Sequence, residues 1–249
     1  MKRCRLFVGI ALALTAGAVF AQGQEKEIWD PLERVNRGTF WFNEEFDRYV
    51  AKPVAQAYDW VLPRAVQKSV GNVFDNFAYP KTILNAFFQA KFSQGFADTG
   101  RFLTNSLLGI GGIFDFATPL GMPANKEDMG QTFGRWGVPQ MMYIVWPILG
   151  PSTLRDSAGI AVDTFAIGDD LKYRTDDFSE YKDAYMYGVA VLDGIDTRAR
   201  FLGAERVVKE AALDRYAFSR NAYLQRREAQ VNDGETAPEE EEKLFGPLD

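Results

Sequence analysis

The sequence predicts a mainly α-helical chain folded as one domain of amphipathic, interrupted helices. Three observations carry this. Apolar residues recur at three-, four- and seven-residue spacings over most of residues 30–230, the period of a helix face. Glycines and prolines break these stripes at short intervals, so the helices are interrupted rather than long. Only the apolar run 141–146, set between Pro139 and Pro147, reads as a turn and an extended piece.

In chain order, residues 1–21 come first. Lys2, Arg3 and Arg5 precede an apolar run from Leu6 to Phe20, and Val19 and Ala21 suit a signal-peptidase cut before Gln22. The run is short for a membrane span, which needs about 20 apolar residues. We expect a cleaved signal peptide over 1–21, a domain over 22–230 and an acidic, disordered tail over 231–249, where residues 239–242 are all glutamate. A lipid-anchored export signal places a cysteine directly after the cut. Gln22 stands there, and the single cysteine, Cys4, precedes the apolar run.

Leu32, Val35, Phe42, Phe46 and Tyr49 make a helical stripe over 30–50, with Asp30 as candidate cap and Pro31 in the first turn. Pro53 and Pro63 bracket a short helix carrying Val54, Ala57, Tyr58 and Val61 on one face. Ile83, Leu84, Phe87 and Phe88 form a broad aromatic stripe over 81–94. Phe102, Leu103, Leu107 and Ile110 follow, and Gly109, Gly111 and Gly112 then stop any regular helix. Glycine and proline recur from 121 to 151. A helical stripe resumes at Leu154, and residues 183–230 read as two helices.

Composition excludes several function classes. The formal charge is −6, and no Lys/Arg cluster supplies the cationic footprint that nucleic acid requires, so no nucleic-acid partner is expected. Attraction to anionic lipid is disfavoured on the same ground. There is no histidine, which removes the commonest general base and metal ligand. With Cys4 in the export segment, thiolate zinc sites and a cysteine nucleophile also fall away. Gly109-Ile110-Gly111-Gly112 lacks the strand and the further glycine of a dinucleotide loop, since Phe114 occupies that position. Asp169-Asp170 and Asp176-Asp177 lack calcium-loop spacing, and there is no nucleophile elbow. No enzyme activity, metal or cofactor is expected.

Apolar residues at helical spacing are ordinarily core. Here the segments 30–50, 81–118 and 138–150 are apolar, aromatic and interrupted, and the sequence leaves core burial and membrane insertion equally open. Five or six such side chains facing lipid, at roughly 1.5–3 kcal/mol each, would hold a protein at a membrane.

Five ordered motifs resemble the MlaA (VacJ) family. They are Asp30-Pro31-Leu32-Glu33-Arg34-Val35-Asn36-Arg37; Asn105-Ser106-Leu107-Leu108-Gly109-Ile110-Gly111-Gly112-Ile113-Phe114-Asp115; Asp128-Met129-Gly130-Gln131-Thr132-Phe133-Gly134 with Gly137; Pro147-Ile148-Leu149-Gly150-Pro151-Ser152-Thr153-Leu154-Arg155-Asp156; and Tyr223-Leu224-Gln225-Arg226-Arg227-Glu228. The resemblance spans roughly residues 28–230. It implies a ring-shaped helical domain in the inner leaflet of the outer membrane, around a central amphipathic channel, with a short hairpin near 138–147. It implies removal of misplaced phospholipids from the outer leaflet, delivery to a soluble periplasmic carrier, and association with an outer-membrane porin trimer. A structural partner of porins that carries no lipid is the alternative.

On that basis Leu84, Phe87, Phe88, Leu103, Leu107, Leu108, Ile110, Ile113 and Phe114 are the candidate channel-wall or bilayer-facing residues. Gly109, Gly111 and Gly112 are candidate turn and packing positions, Arg135 and Arg155 candidate head-group contacts, and Gly137 and Pro139 candidate hairpin residues. The family is lipid-anchored in enteric bacteria, unlike this sequence at Gln22. Its Gly-rich hairpin is replaced here by Pro139-Gln140-Met141-Met142, which should be stiffer.

Overall fold

The computed structural model describes residues 30–164, 182–203 and 214–234. The expected export segment, the acidic pairs at 169–170 and 176–177, and the tail beyond Gly234 lie outside the described residues. The chain divides into two units, Met1–Pro31 and Leu32–Asp249, and the helices described belong to the second.

Helix α1, Glu33–Phe46, runs through a π turn at Asp47–Ala51 straight into α2, Lys52–Val61, with right-handed helical dihedrals at every junction. Pro53 explains the widened turn: its ring crowds the carbonyl four residues back and it has no N–H to donate. The helix starts later than Asp30 and Pro31 suggested, with Leu32 at the N-cap and no side-chain cap. Leu62 is extended, as a residue before proline must be, and Pro63 caps α3, Arg64–Phe88. A tight reversal at residues 89–91, with Ala90 at φ 60°, leads into α4, Phe92–Leu107.

A long loop follows to α5, Met129–Arg135, whose Asp128 cap accepts the Gln131 N–H at 2.9 Å. Strands β1, Tyr143–Trp146, and β2, Gly150–Thr153, pair antiparallel from Tyr143↔Thr153 to Trp146↔Gly150. The hairpin is present as expected near 138–147, with β1 inside that range and β2 running on to Thr153. Pro147 sits in its turn, where Ile148 takes φ 66°, while Gly137 and Pro139 lie in the loop that leads to it. Thr153 then caps α6, Leu154–Val162. The two further helices are α7, Lys182–Arg200, and α8, Arg215–Val231.

The apolar core is small. Tyr143, Val145 and Tyr216 are buried together, with Phe40, Tyr223 and Leu224 packed against them. The free edge of β1 is closed by asparagines of α1. Asn36 donates to the Tyr143 carbonyl at 3.0 Å and accepts from Val145 N–H at 2.9 Å. Asn43, two turns on, donates to the Trp146 carbonyl and accepts from Ile148 N–H. Side-chain amides thus supply the hydrogen bonds a third strand would have given.

Candidate functional site

Burial in this fold is inverted. Along α4 the buried residues are Gly95, Asp98, Arg101 and Asn105, one helical stripe of small, polar and charged groups. Phe92, Phe96, Leu103 and Leu107 on the other faces are exposed. Helix α3 behaves alike, burying Asn76, Thr82 and Asn85 while Phe77, Leu84 and Phe88 are exposed. Among the described residues every tryptophan (Trp41, Trp60, Trp136 and Trp146) is exposed, Trp60 at 87%. No described helix is long and apolar enough to cross a membrane.

Buried polar groups must find partners, and here many of them find one another. Arg101 donates to the Met122 carbonyl at 2.6 Å and to Asp115 at 3.0 Å, tying the loop after α4 to the helix. Asn105 donates to Asp115 and accepts from Ala117 N–H. Burial alone would push Asp115 up; hydrogen bonds from Thr118 and Asn105 and the Arg101 charge outweigh it and hold the carboxyl at about 2. Thr132 donates to Asn85, and Asn85 donates to Asp163. Asp163 also accepts from Met129 N–H, yet burial keeps its pKa above the ordinary value.

Arg227 of α8 is the knot of a second network. It donates to Asp128 at 2.8 Å and to Asp156 at 3.0 Å, and Tyr223 donates to Asp156 at 2.8 Å. Desolvation opposes these charges, but Arg227 overcomes it and holds Asp128 at about 2 and Asp156 below its ordinary value.

Between α3, α4, α7, α8 and the loop before α5 lies a cavity of about 510 Å³. Its walls are amphipathic: polar and charged side chains, among them Asn72, Asp75, Lys81, Arg101, Asn105, Asp115, Glu127, Asp128, Asp193, Arg200 and Arg226, alternate with apolar surface that includes the rings of Phe74, Tyr79 and Phe201. Among the described residues no acidic or cysteine cluster could hold a metal.

The residues singled out in the sequence take up other positions. Leu84, Phe88, Leu103, Leu107, Leu108, Ile110, Ile113 and Phe114 are exposed, and none borders the cavity. Phe87 is half-buried against Phe92 and edge-on to Phe96, at 5.4 Å between centroids. Gly109 has no room for a Cβ, which would strike the carbonyls of Phe114 and Asn105. Gly112, at φ 94°, would bring one within 2.5 Å of Asn76 Cβ, whereas Gly111 at φ 69° faces open space. Arg155 is buried and bonded to Asp156 at 3.0 Å, and the exposed Arg135 faces Asp233 at 3.8 Å. Neither borders the cavity, so the head-group role expected of them has no geometric support. Sequence reasoning missed the cavity residues because it followed the apolar stripes of these helices and left their polar faces unread. A signal was available: the polar face of α4 is built from Asp, Arg and Asn, without the Lys and Glu that dominate solvated faces.

A polar, hydrogen-bonded interior inside an apolar coat defines a class of helical protein distinct from the oil-cored globular kind. The comparisons with known proteins agree on which one. A family model described as MlaA lipoprotein matches residues 28–230, and the chain belongs to that family. It is 31% identical over 237 residues to the intermembrane phospholipid transport system lipoprotein MlaA of Escherichia coli K12, covering 94% of this chain and 90% of that protein. Against the Haemophilus influenzae protein of the same description the identity is 29%, over 88% of this chain and 85% of the relative. An uncharacterized Rickettsia conorii protein is 31% identical over 82% and 79%. A solved structure from work on the structural basis for maintenance of bacterial outer membrane lipid asymmetry superposes with a TM-score of 0.71 at 32% identity, over 82% of this chain and all of that one.

Proposed function

We propose that this protein is the outer-membrane component of an intermembrane phospholipid transport system. It takes phospholipids misplaced in the outer leaflet through an amphipathic channel ringed by its helices and passes them to a soluble periplasmic carrier, so that the membrane stays asymmetric. It sits in the periplasm-facing leaflet beside a porin trimer, and it moves lipid without making or breaking covalent bonds.

One observation carries the reading: many large apolar side chains are exposed while most of the buried side chains are polar or charged, beside a cavity of about 510 Å³. Water would reject such a surface, and a bilayer interior would accept it. Exposed tryptophans suit the boundary between acyl chains and water. A polar cavity inside an apolar coat offers a head group a path through hydrocarbon and leaves the tails outside in lipid. The relatives named for intermembrane phospholipid transport support the same assignment.

The test is to purify the full chain from outer membranes in detergent and to measure bound phospholipid by mass spectrometry and its transfer to a soluble lipid carrier. Bound, transferable phospholipid is expected. A protein that is lipid-free and monodisperse without detergent would refute the proposal. Crosslinking to a porin with no lipid transfer would select a non-transporting structural partner of porins instead.

A further inference from the structure

One wall of the cavity is not a helix. Residues 124–128 border it in unbroken succession. Among the described residues, 123–127 make no backbone–backbone hydrogen bond, so this stretch is held chiefly through side chains. Its ends are firm. Arg101 donates to the Met122 carbonyl at 2.6 Å, and Gln131 donates to the Lys126 carbonyl at 3.1 Å. The buried Glu127 carboxylate accepts from Gln89 and Lys91 at 2.9 Å and from Gln94 at 2.8 Å. The middle has two fasteners. Asn125 donates to Asp98 of α4 at 2.9 Å, and Lys126 pairs with Asp75 of α3 at 3.1 Å. The Lys126 side chain is 78% exposed, and Asp75 also faces Arg200 at 3.6 Å, so this pair can part with water and Arg200 taking over. Asp98 is fully buried and its other oxygen has no partner among the described residues, so the Asn125 bond is the stronger fastener.

A cavity of about 510 Å³ falls in the range, roughly 300–1,000 Å³, that encloses drug-sized ligands. A phospholipid with two acyl chains is larger, so its head end fits and the whole molecule does not. Resting on the transport reading above, we propose that residues 123–126 are a strap that bows outward to widen the cavity as a phospholipid passes. Gly121, at φ 78° with open space where a side chain would stand, supplies the pivot at one end. Glu127 fixes the other. The flanking helices cannot part so readily. Drawing α8 away from α6 would strand the buried charges of Arg227 and Asp156, whereas the strap releases one exposed ion pair and one hydrogen bond.

The test uses the full chain with Cys4→Ser throughout. Lys126→Cys/Asp75→Cys ties the strap to α3 through a short, reducible bis-methanethiosulfonate, and Glu45→Cys/Arg48→Cys, tied in the same way at the end of α1, is the control. The readout is transfer of phosphatidylglycerol from the purified protein to a soluble lipid carrier, before and after the tether is reduced. The tied strap should slow transfer by about tenfold or more, reduction should restore it, and the control tether should change nothing. Asn125→Ala should raise amide hydrogen exchange over residues 124–126 while the amides of α5 keep their protection. Transfer at one rate whether the strap is tied or released would overturn the strap and leave the transport reading standing. Equal slowing by both tethers would overturn it too, as would unchanged exchange in Asn125→Ala. A wild-type chain that transfers no phospholipid would remove the transport reading, and the strap's role with it.

Discussion

Arg227 shows at the scale of one residue what a polar interior demands. Its guanidinium is nearly buried and serves two carboxylates at once, Asp128 and Asp156. Truncating one member of a buried ion network leaves the others charged and unpartnered, which costs roughly 3–5 kcal/mol. Arg227→Met should lower unfolding stability in detergent by that amount, measured by chemical denaturation; a loss below about 1 kcal/mol would mean the network behaves as an exposed pair does. This network and the Arg101 network set a pH dependence. Asp128 and Asp115 are held at about 2 in the fold, against 3.8 ordinarily. Depressed carboxylate values contribute stability that is present above the ordinary value and is lost as pH falls from about 4 towards 2. Unfolding midpoints should therefore drop across that window, and Arg227→Met should flatten the drop. Asp98 and Asp163, raised by burial, act in the opposite direction, and their gain comes chiefly above the ordinary carboxylate value, before that loss sets in.

At the scale of elements, close contacts fix which helices can meet. Gly159 of α6 lies against the backbone of α5, where an added Cβ would come within 2.7 Å of Gly130 Cα. Backbone cannot step aside as a side chain does, so Gly159→Ala must part the two helices, at roughly 1–3 kcal/mol or more. Gly194 of α7 has nothing within 4 Å, and Gly194→Ala should instead stabilise by about 0.5–1 kcal/mol through helix propensity. Equal effects in thermal unfolding would contradict this account. The hairpin depends on α1 in the same manner. Asn36→Leu removes both hydrogen bonds to the edge of β1 and should destabilise by roughly 2–4 kcal/mol. These contacts also mark where the sequence stopped being legible. The interruptions at Pro63, Gly109 and Gly111 and the extended run before Pro147 could be read locally, because proline and glycine act on their own backbone. The 25 residues of α3 could not, since Pro80 sits inside the helix. Asn36 reaching a strand more than a hundred residues away leaves no local trace.

For the whole molecule, the question is which solvent the surface was built for. The apolar periodicity was legible, but its direction was not: a stripe at helical spacing reads the same whether it faces a core or a bilayer, and only the burial of Asn85, Asp98 and Arg101 shows that the greasy faces turn outward. That inversion separates two ways of holding to a membrane. Electrostatic attachment is screened by salt, and a chain of formal charge −6 has little of it to lose. Insertion of apolar side chains is insensitive to salt and sensitive to charge placed among them. Leu107, Leu108 and Ile110 are the sharpest site for that test, since they stand together at the C-terminal end of α4 and are 76%, 63% and 66% exposed. They contribute little to the folded interior and much to any apolar contact outside it. The triple variant Leu107→Asp, Leu108→Asp and Ile110→Asp should weaken membrane partition by on the order of 5–10 kcal/mol, while leaving the denaturation midpoint in detergent nearly unchanged. In fractionation, 1 M salt should leave the wild-type chain in the membrane pellet, and the variant should be released far more readily by the same wash. Release of the wild type by salt, or equally firm retention of the variant, would show that something other than the apolar coat holds the protein in place.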